Sequence, residues 1–151
     1  MTTRRLPPYR ESLAGTLLAA RESVMRPIRL PLAEAGFTEQ QWRVLRVLID
    51  QGEIEPMRLA DAAMLHAPSV TRILRELSNR KLIERRSDSR DGRRSIIEPT
   101  AAARELVDRV SEQTLLLFDQ YNEAFGRARL DALRAELAAL VASLSSFQPT
   151  D

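Results

Sequence analysis

The sequence predicts a mainly α-helical chain with a small β-wing. It places a winged helix-turn-helix at residues 38–98, between helices at 9–36 and 100–147 that serve dimerisation. Three observations carry that prediction. Val70, Ile73, Leu74 and Leu77 recur at i, i+3, i+4 and i+7, the spacing of a helix with one buried face. Two short β-like runs follow, Leu82-Ile83-Glu84-Arg85-Arg86 and Ser95-Ile96-Ile97, joined by a charged turn containing Gly92. The stretch from His66 to Arg94 holds nine basic and four acidic residues, a net of +5 in a chain whose total is only +2. A positive field confined to one helix and one hairpin is the footprint of a nucleic-acid-binding face.

The elements follow in order. Residues 1–8 are polar and proline-bearing and read as a loose arm. From about 9 to 34, Leu13, Leu17, Ala20, Val24 and Ile28 recur at helical spacing, and Pro27 and Pro31 are expected to bend or divide that helix. Gly36 closes it. Thr38-Glu39-Gln40-Gln41 reads as a capping box opening a second helix to about Asp50, with Trp42, Leu45, Leu48 and Ile49 buried. Pro56 suits the first turn of a third helix, to about Met64, with Leu59, Ala60 and Ala63 inward. A break at Leu65-His66-Ala67 precedes the fourth helix, which gives helix-turn-helix spacing. Thr100 caps a long helix to about Tyr121, and Gly126 marks a gap. In the last helix Leu130, Leu133, Leu137, Leu140, Leu144 and Phe147 are spaced 3, 4, 3, 4, 3, a heptad seam. That seam either packs within the monomer or forms a dimer interface with the first and fifth helices; the stripes otherwise left uncovered favour the dimer.

Composition excludes several functions. The chain has 151 residues, 44% hydrophobic and 29% charged, as expected of one globular protein. No run of about 18 apolar residues is present, so no membrane span is expected. The start, MTTRRLPPYRESL, lacks an apolar signal core, which points to the cytoplasm. With no cysteine and one histidine, thiolate zinc sites, disulfides and thiol redox sensing drop out, and neither metal nor cofactor is implied. No nucleophile–base pair or Gly-rich phosphate loop is visible, so an enzyme is not expected. A ligand-independent architectural DNA-binding dimer remains as the rival.

In the fourth helix, Pro68, Arg72, Arg75 and Asn79 point away from the apolar stripe, with Ser69 and Thr71 beside them near the helix start. Recognition helices read base edges mainly from their first turns, which favours Ser69, Thr71 and Arg72, with Arg75 on a phosphate. Otherwise this is a solvated face on which Arg72 pairs with Glu76 at i+4. In the turn Asp88-Ser89-Arg90-Asp91-Gly92-Arg93-Arg94 the alternating signs let each aspartate pin an arginine. An arginine at such a tip can enter a minor groove.

The helix–helix–wing order and the D-x-R-D-x-R wing resemble the MarR transcription factors over essentially the whole chain. The resemblance implies a homodimeric winged helix-turn-helix repressor on double-stranded DNA with a pseudo-palindromic operator, released by a small, often aromatic, ligand. It implies that Arg93 is the minor-groove arginine, oriented by Asp91, with Arg90 as a second candidate. The chain departs from the family's L-T-x-x-G wing exit with Pro99-Thr100-Ala101-Ala102-Ala103. Proline cannot donate to the ladder, so the second strand is expected to stop early. A narrower likeness lies in Ser12-Leu13, Ala20-Arg21-Glu22, Thr38 to Arg46 and His66 to Leu74. These stretches are similar to the homoprotocatechuate-degradation repressors of that family, which implies control of an aromatic-acid catabolic operon. Hydroxycinnamate or stress-response control is the alternative.

A carboxylated aromatic effector needs a cation, an apolar wall and a hydroxyl. Arg46 lies one turn after Trp42, and Arg10 and Arg21 border the apolar stripe of the first helix. His66 lies in the turn before the recognition helix. The resemblance puts the pocket between the dimer helices and the DNA-binding lobe, where Arg10, Ser12, Arg21, Trp42, Arg46 and His66 would converge. Four have an ordinary alternative: Arg46 pairs with Asp50, Arg21 pairs with an acid across the dimer, His66 is a surface residue and Trp42 belongs to the core.

Overall fold

The computed structural model describes residues 5–147. Six helices and a two-stranded sheet run in the order α1 (Leu13–Glu34), α2 (Glu39–Gln51), α3 (Pro56–Ala63), α4 (Ala67–Asn79), β1 (Ile83–Ser87), β2 (Ser95–Pro99), α5 (Ala101–Phe125) and α6 (Arg127–Leu144), with 3-10 turns at Tyr9–Glu11 and Ser145–Phe147. The chain forms two compact units, one ending at Gln113 and the other beginning at Thr114. Of the expected N-terminal arm, residues 1–4 lie outside the described residues, and residues 5–8 are exposed and without regular structure. No helix among the described residues is long and apolar enough to cross a membrane.

In the first unit, α1 runs unbroken through Pro27 and Pro31, so of the bend or division expected there the division does not occur. Its anchors Ile28 and Leu32 are buried. Pro27 is exposed and Pro31 half-buried, so carbonyls deprived of an amide partner lie on the wetter side, and packing holds the helix across them. Gly36, at φ +76°, ends α1. The Phe37 N–H returns to the Leu32 carbonyl at 2.8 Å and the Gly36 N–H to Ala33 at 3.0 Å, with Leu32 and Phe37 both buried. At the start of α2 the capping box is complete: the Gln41 N–H donates to Thr38 Oγ1 at 3.2 Å, and the Thr38 N–H donates to Gln41 Oε1 at 2.9 Å.

The core of this unit is built from α2, α3, α4 and the sheet. Leu59, Ala60 and Ala63 are buried on α3, and Val70, Ile73, Leu74 and Leu77 on α4, as the periodicity predicts. On α2 the buried stripe is Val44, Leu45 and Leu48. Trp42 and Ile49, expected inside, are only half-buried, because they flank that stripe; Trp42 lies against Phe37, ring centroids 6.0 Å apart. α3 and α4 close in the same way as α1, but without glycine. Met64 (φ +53°) and Lys81 (φ +58°) take the left-handed conformation, and the N–H groups of Leu65 and Leu82 reach back to Ala60 and Leu77, each at 3.0 Å.

β1 and β2 pair antiparallel, from Ile83 opposite Pro99 to Ser87 opposite Ser95. Ile54, between α2 and α3, adds a one-residue third strand: its N–H donates to the Ile97 carbonyl at 3.1 Å, and its carbonyl accepts from the Ile97 N–H at 2.9 Å. β2 therefore does not stop short of its proline. Alternate residues of β2 face Ile54 rather than β1; Pro99 is in phase with Ile97, so its missing N–H costs no β1 bond, and the Thr100 N–H resumes pairing with the Leu82 carbonyl at 3.0 Å. The Thr100 hydroxyl then accepts from the Ala103 N–H at 3.2 Å and starts α5.

In the second unit, Gly126 at φ +97° separates the end of α5 from α6. Arg129 stacks on the Phe125 ring at 3.9 Å and donates to the Phe125 carbonyl at 3.3 Å, fixing that corner. None of the residues of α6 is buried.

Candidate nucleic-acid interface and ligand-binding residues

The nine basic residues between His66 and Arg94 divide into two groups. One group is engaged within the fold. Arg80 donates to the carbonyls of Gly36 and Ala35, at 2.8 and 3.2 Å, and its guanidinium lies 4.1 Å over the Phe37 ring. It caps the carbonyl end of α1 from the position just after α4. Arg86 reaches both Glu98 and Glu53, and its hydrogen bond to Glu98, more than any other influence, raises its pKa. Arg94 meets Glu55 at 3.3 Å and Asp91 at 3.9 Å.

The other group is open. Arg72 and Arg75 are exposed on the outer face of α4, and no ion pair joins either to an acid among the described residues. The same is true of Lys81 and of the Arg85, Arg90 and Arg93 guanidinium groups. Pro68 and Thr71 are exposed beside Arg72, and Ser69 is half-buried. The Thr71 hydroxyl donates to the Ala67 carbonyl at 3.1 Å, which leaves its oxygen free only to accept. The Arg72–Glu76 pair of the alternative reading is not made: Glu76 accepts from the Gln41 side-chain amide instead.

The wing aspartates act differently from the expectation. Asp88 accepts the backbone N–H of Arg90 at 2.9 Å, and Asp91 that of Arg93 at 3.1 Å. These bonds pin the main chain of the turn, as short acidic side chains do in turns, and leave both guanidinium groups unpaired. The Asp88 N–H to the Arg94 carbonyl and the Arg94 N–H to the Asp91 carbonyl, each 2.9 Å, complete the loop. Beneath the tip lies a shallow groove of about 300 Å³ lined by Arg85, Arg86, Arg93 and Arg94 with Ser87 and Ser95. Arg85 is the residue sequence reasoning passed over: it sits in a strand pattern that gives no sign of which arginine will be paired.

The residues expected to meet a ligand are held in separate groups. The Ser12 hydroxyl caps α1, accepting from the Gly15 N–H at 3.0 Å and donating to the Tyr9 carbonyl at 2.6 Å. Arg10 is exposed. Arg21 pairs with Glu39 and, at 3.2 Å, with Glu22, so its acid lies within the same chain. Glu39 also holds Arg29 and Arg43, each at 3.2 Å. Arg29 hydrogen-bonds Glu22 at 2.8 and 2.9 Å, and this is the main reason the Glu22 carboxyl lies below its ordinary pKa. Arg46 belongs to another group, 3.6 Å from Asp50 and 3.5 Å from Ser111 Oγ. His66 is the N-cap residue of α4, but its side chain makes no capping bond.

The sequence profile of the MarR family matches residues 35–94. The chain is 34% identical over 133 residues to the HTH-type transcriptional regulator FarR of Neisseria gonorrhoeae, spanning 86% of this chain and 91% of that one. It is 30% identical over 138 residues to the homoprotocatechuate degradative operon repressor of Escherichia coli, spanning 91% and 93%. Among solved structures, NadR in complex with 4-hydroxyphenylacetate superposes with a TM-score of 0.79 at 33% identity, covering 93% of this chain and 97% of that one.

Proposed function

Because the chain belongs to the MarR family of DNA-binding transcriptional regulators, we propose that it is a homodimeric repressor of an aromatic-acid catabolic operon, acting in the cytoplasm and released from DNA by a small aromatic acid. The observation that carries the DNA reading is the set of unpaired guanidinium groups at Arg72, Arg75, Arg90 and Arg93, on the outer face of α4 and the wing tip. In this reading Ser69, Thr71 and Arg72 meet base edges beside Pro68, Arg75 holds a phosphate, and Arg93 enters the minor groove. Asp91 shapes the tip through the Arg93 N–H, and Arg90 is the second wing contact.

The dimer rests on uncovered apolar side chains in each unit. Leu13 is 59% exposed on α1, and the seam from Leu130 to Phe147 has no buried member. A second copy that covered these faces would present two recognition helices to a pseudo-palindrome with half-sites about one helical turn apart.

The effector class comes from two relatives, the homoprotocatechuate repressor and NadR with its bound 4-hydroxyphenylacetate. Arg46 is the better candidate for the carboxylate, since it makes only a 3.6 Å pair with an exposed aspartate and a 3.5 Å bond to Ser111 Oγ, whereas Arg21 is tied to Glu39 and Glu22. Trp42, Ser12, Arg10 and His66 complete the proposed contacts. A ligand that binds the DNA-incompetent state better by about 1–3 kcal/mol is sufficient for release.

The test begins by selecting duplexes from a random DNA library with the full chain. A pseudo-palindrome is expected, released by 4-hydroxyphenylacetate or 3,4-dihydroxyphenylacetate, with weaker ligand binding by Arg46→Ala in calorimetry. If neither acid binds below millimolar, the aromatic effector is wrong. If both acids bind wild type and Arg46→Ala alike, the pocket is wrong.

A further inference from the structure

We infer that Gln41 is a positioning residue for DNA binding: it holds the Glu76 carboxylate against α2 and thereby keeps Arg72 unpaired. The inference rests on the reading of Arg72 as a DNA contact.

Glu76 lies four residues after Arg72 and four before Arg80, so helix geometry offers it two cationic neighbours. It pairs with neither. Arg80 is committed to the Gly36 and Ala35 carbonyls and the Phe37 ring. Arg72 has no ion-pair partner among the described residues. Glu76, half-buried, accepts its hydrogen bond from Gln41 Nε2 across the α2–α4 contact.

The capping box dictates which end of the Gln41 amide faces α4. Its oxygen accepts from the Thr38 N–H at 2.9 Å, so its nitrogen is the end left to face Glu76. Glutamate at this capping position would serve Thr38 equally well. It would also set a second carboxylate against Glu76 and drive that side chain toward Arg72 and the DNA-facing side. The pattern thus accounts for an amide rather than an acid at position 41. A Glu76 carboxylate released onto α4 would compete with a phosphate or guanine for the Arg72 guanidinium, and its charge would oppose the DNA backbone.

The experiment measures affinity, by fluorescence anisotropy at fixed salt, for the duplex selected by the native chain, with thermal melts to confirm folding. Q41E keeps the cap and should weaken binding about two- to fivefold, the scale of an exposed ion pair that DNA must break. E76Q alone should bind no more weakly than wild type. Q41E combined with E76Q should recover wild-type affinity, because the new amide can donate to the new carboxylate. In an R72A background Q41E should lose most of its effect, keeping only the general repulsion of an added carboxylate, an outcome that a purely structural role for Gln41 would not produce. If Q41E does not fold, Q41A measured with and without E76Q makes the same comparison. Wild-type affinity for Q41E, no recovery in the double variant, or an undiminished loss in the R72A background would each overturn the inference. Wild-type affinity for R72A alone would instead overturn the reading of Arg72, and the inference with it.

Discussion

α4 and α6 each carry an apolar stripe along one helical face, yet they end in different environments. On α4, Val70, Ile73, Leu74 and Leu77 are at most 2% exposed. On α6, Leu133 is 42% and Leu144 46% exposed, and no residue is buried. Periodicity states that a face needs cover; it does not state who supplies it. For α4 the cover comes from α2, α3 and the wing of the same unit. On α6 Leu130, Leu137 and Leu140 are only half-buried, and a second copy of the chain is the occupant the proposed dimer requires. The charges repeat the contrast within the lobe. Arg80, Arg86 and Arg94 are satisfied inside the fold, whereas Arg72, Arg75, Arg90 and Arg93 have no ion pair among the described residues.

The contrast is tested most severely by truncating each stripe. Leu74→Ala should cost about 2–5 kcal/mol in urea unfolding, as expected for a buried leucine in a packed core. Leu137→Asp should leave the lobe folded by circular dichroism and shift the chain to monomer in size-exclusion chromatography, since a buried carboxylate at the interface costs several kcal/mol. A stable dimer carrying Leu137→Asp would break the comparison. Among the arginines, Arg72→Ala should cost about 1–3 kcal/mol of operator affinity and relax preference at one base pair. Arg80→Ala should lower unfolding stability by about 1 kcal/mol, from the lost ring contact and two carbonyl bonds, without changing the salt dependence of DNA binding. The smallest effect concerns Glu22. Its pKa in the folded chain is depressed, so its pairing with Arg29 stabilises the fold above the ordinary glutamate pKa and is lost as pH falls through the lowered value. The melting temperature of wild type should therefore exceed that of Glu22→Gln at neutral pH and converge with it in acid. A gap that persists or widens in acid would contradict the pairing.

What could be read in advance was local. The α4 stripe, the Thr38–Gln41 box, the Gly36 stop and the Asp–Gly wing turn each depend on residues within one or two turns of chain. What escaped depends on distant partners. Ile54 becomes a strand only because Ile97 arrives beside it, and Pro99 fits β2 only because its missing donor faces that same side. Met64 and Lys81 end helices where no glycine announces the stop. The DNA face was legible as a charge excess, but not which arginines the fold would consume. The ligand residues were the least legible: Arg21 and Arg46, expected to converge, belong to separate ion-pair groups formed by Glu39 and Asp50.

The most direct test of the account is sedimentation equilibrium of the full chain at micromolar concentration, with and without the selected duplex. Two chains in solution and two chains per duplex are predicted, because the proposed reading assigns the α6 seam to a second copy and the unpaired arginines to DNA. A folded monomer that binds the duplex one to one would contradict it.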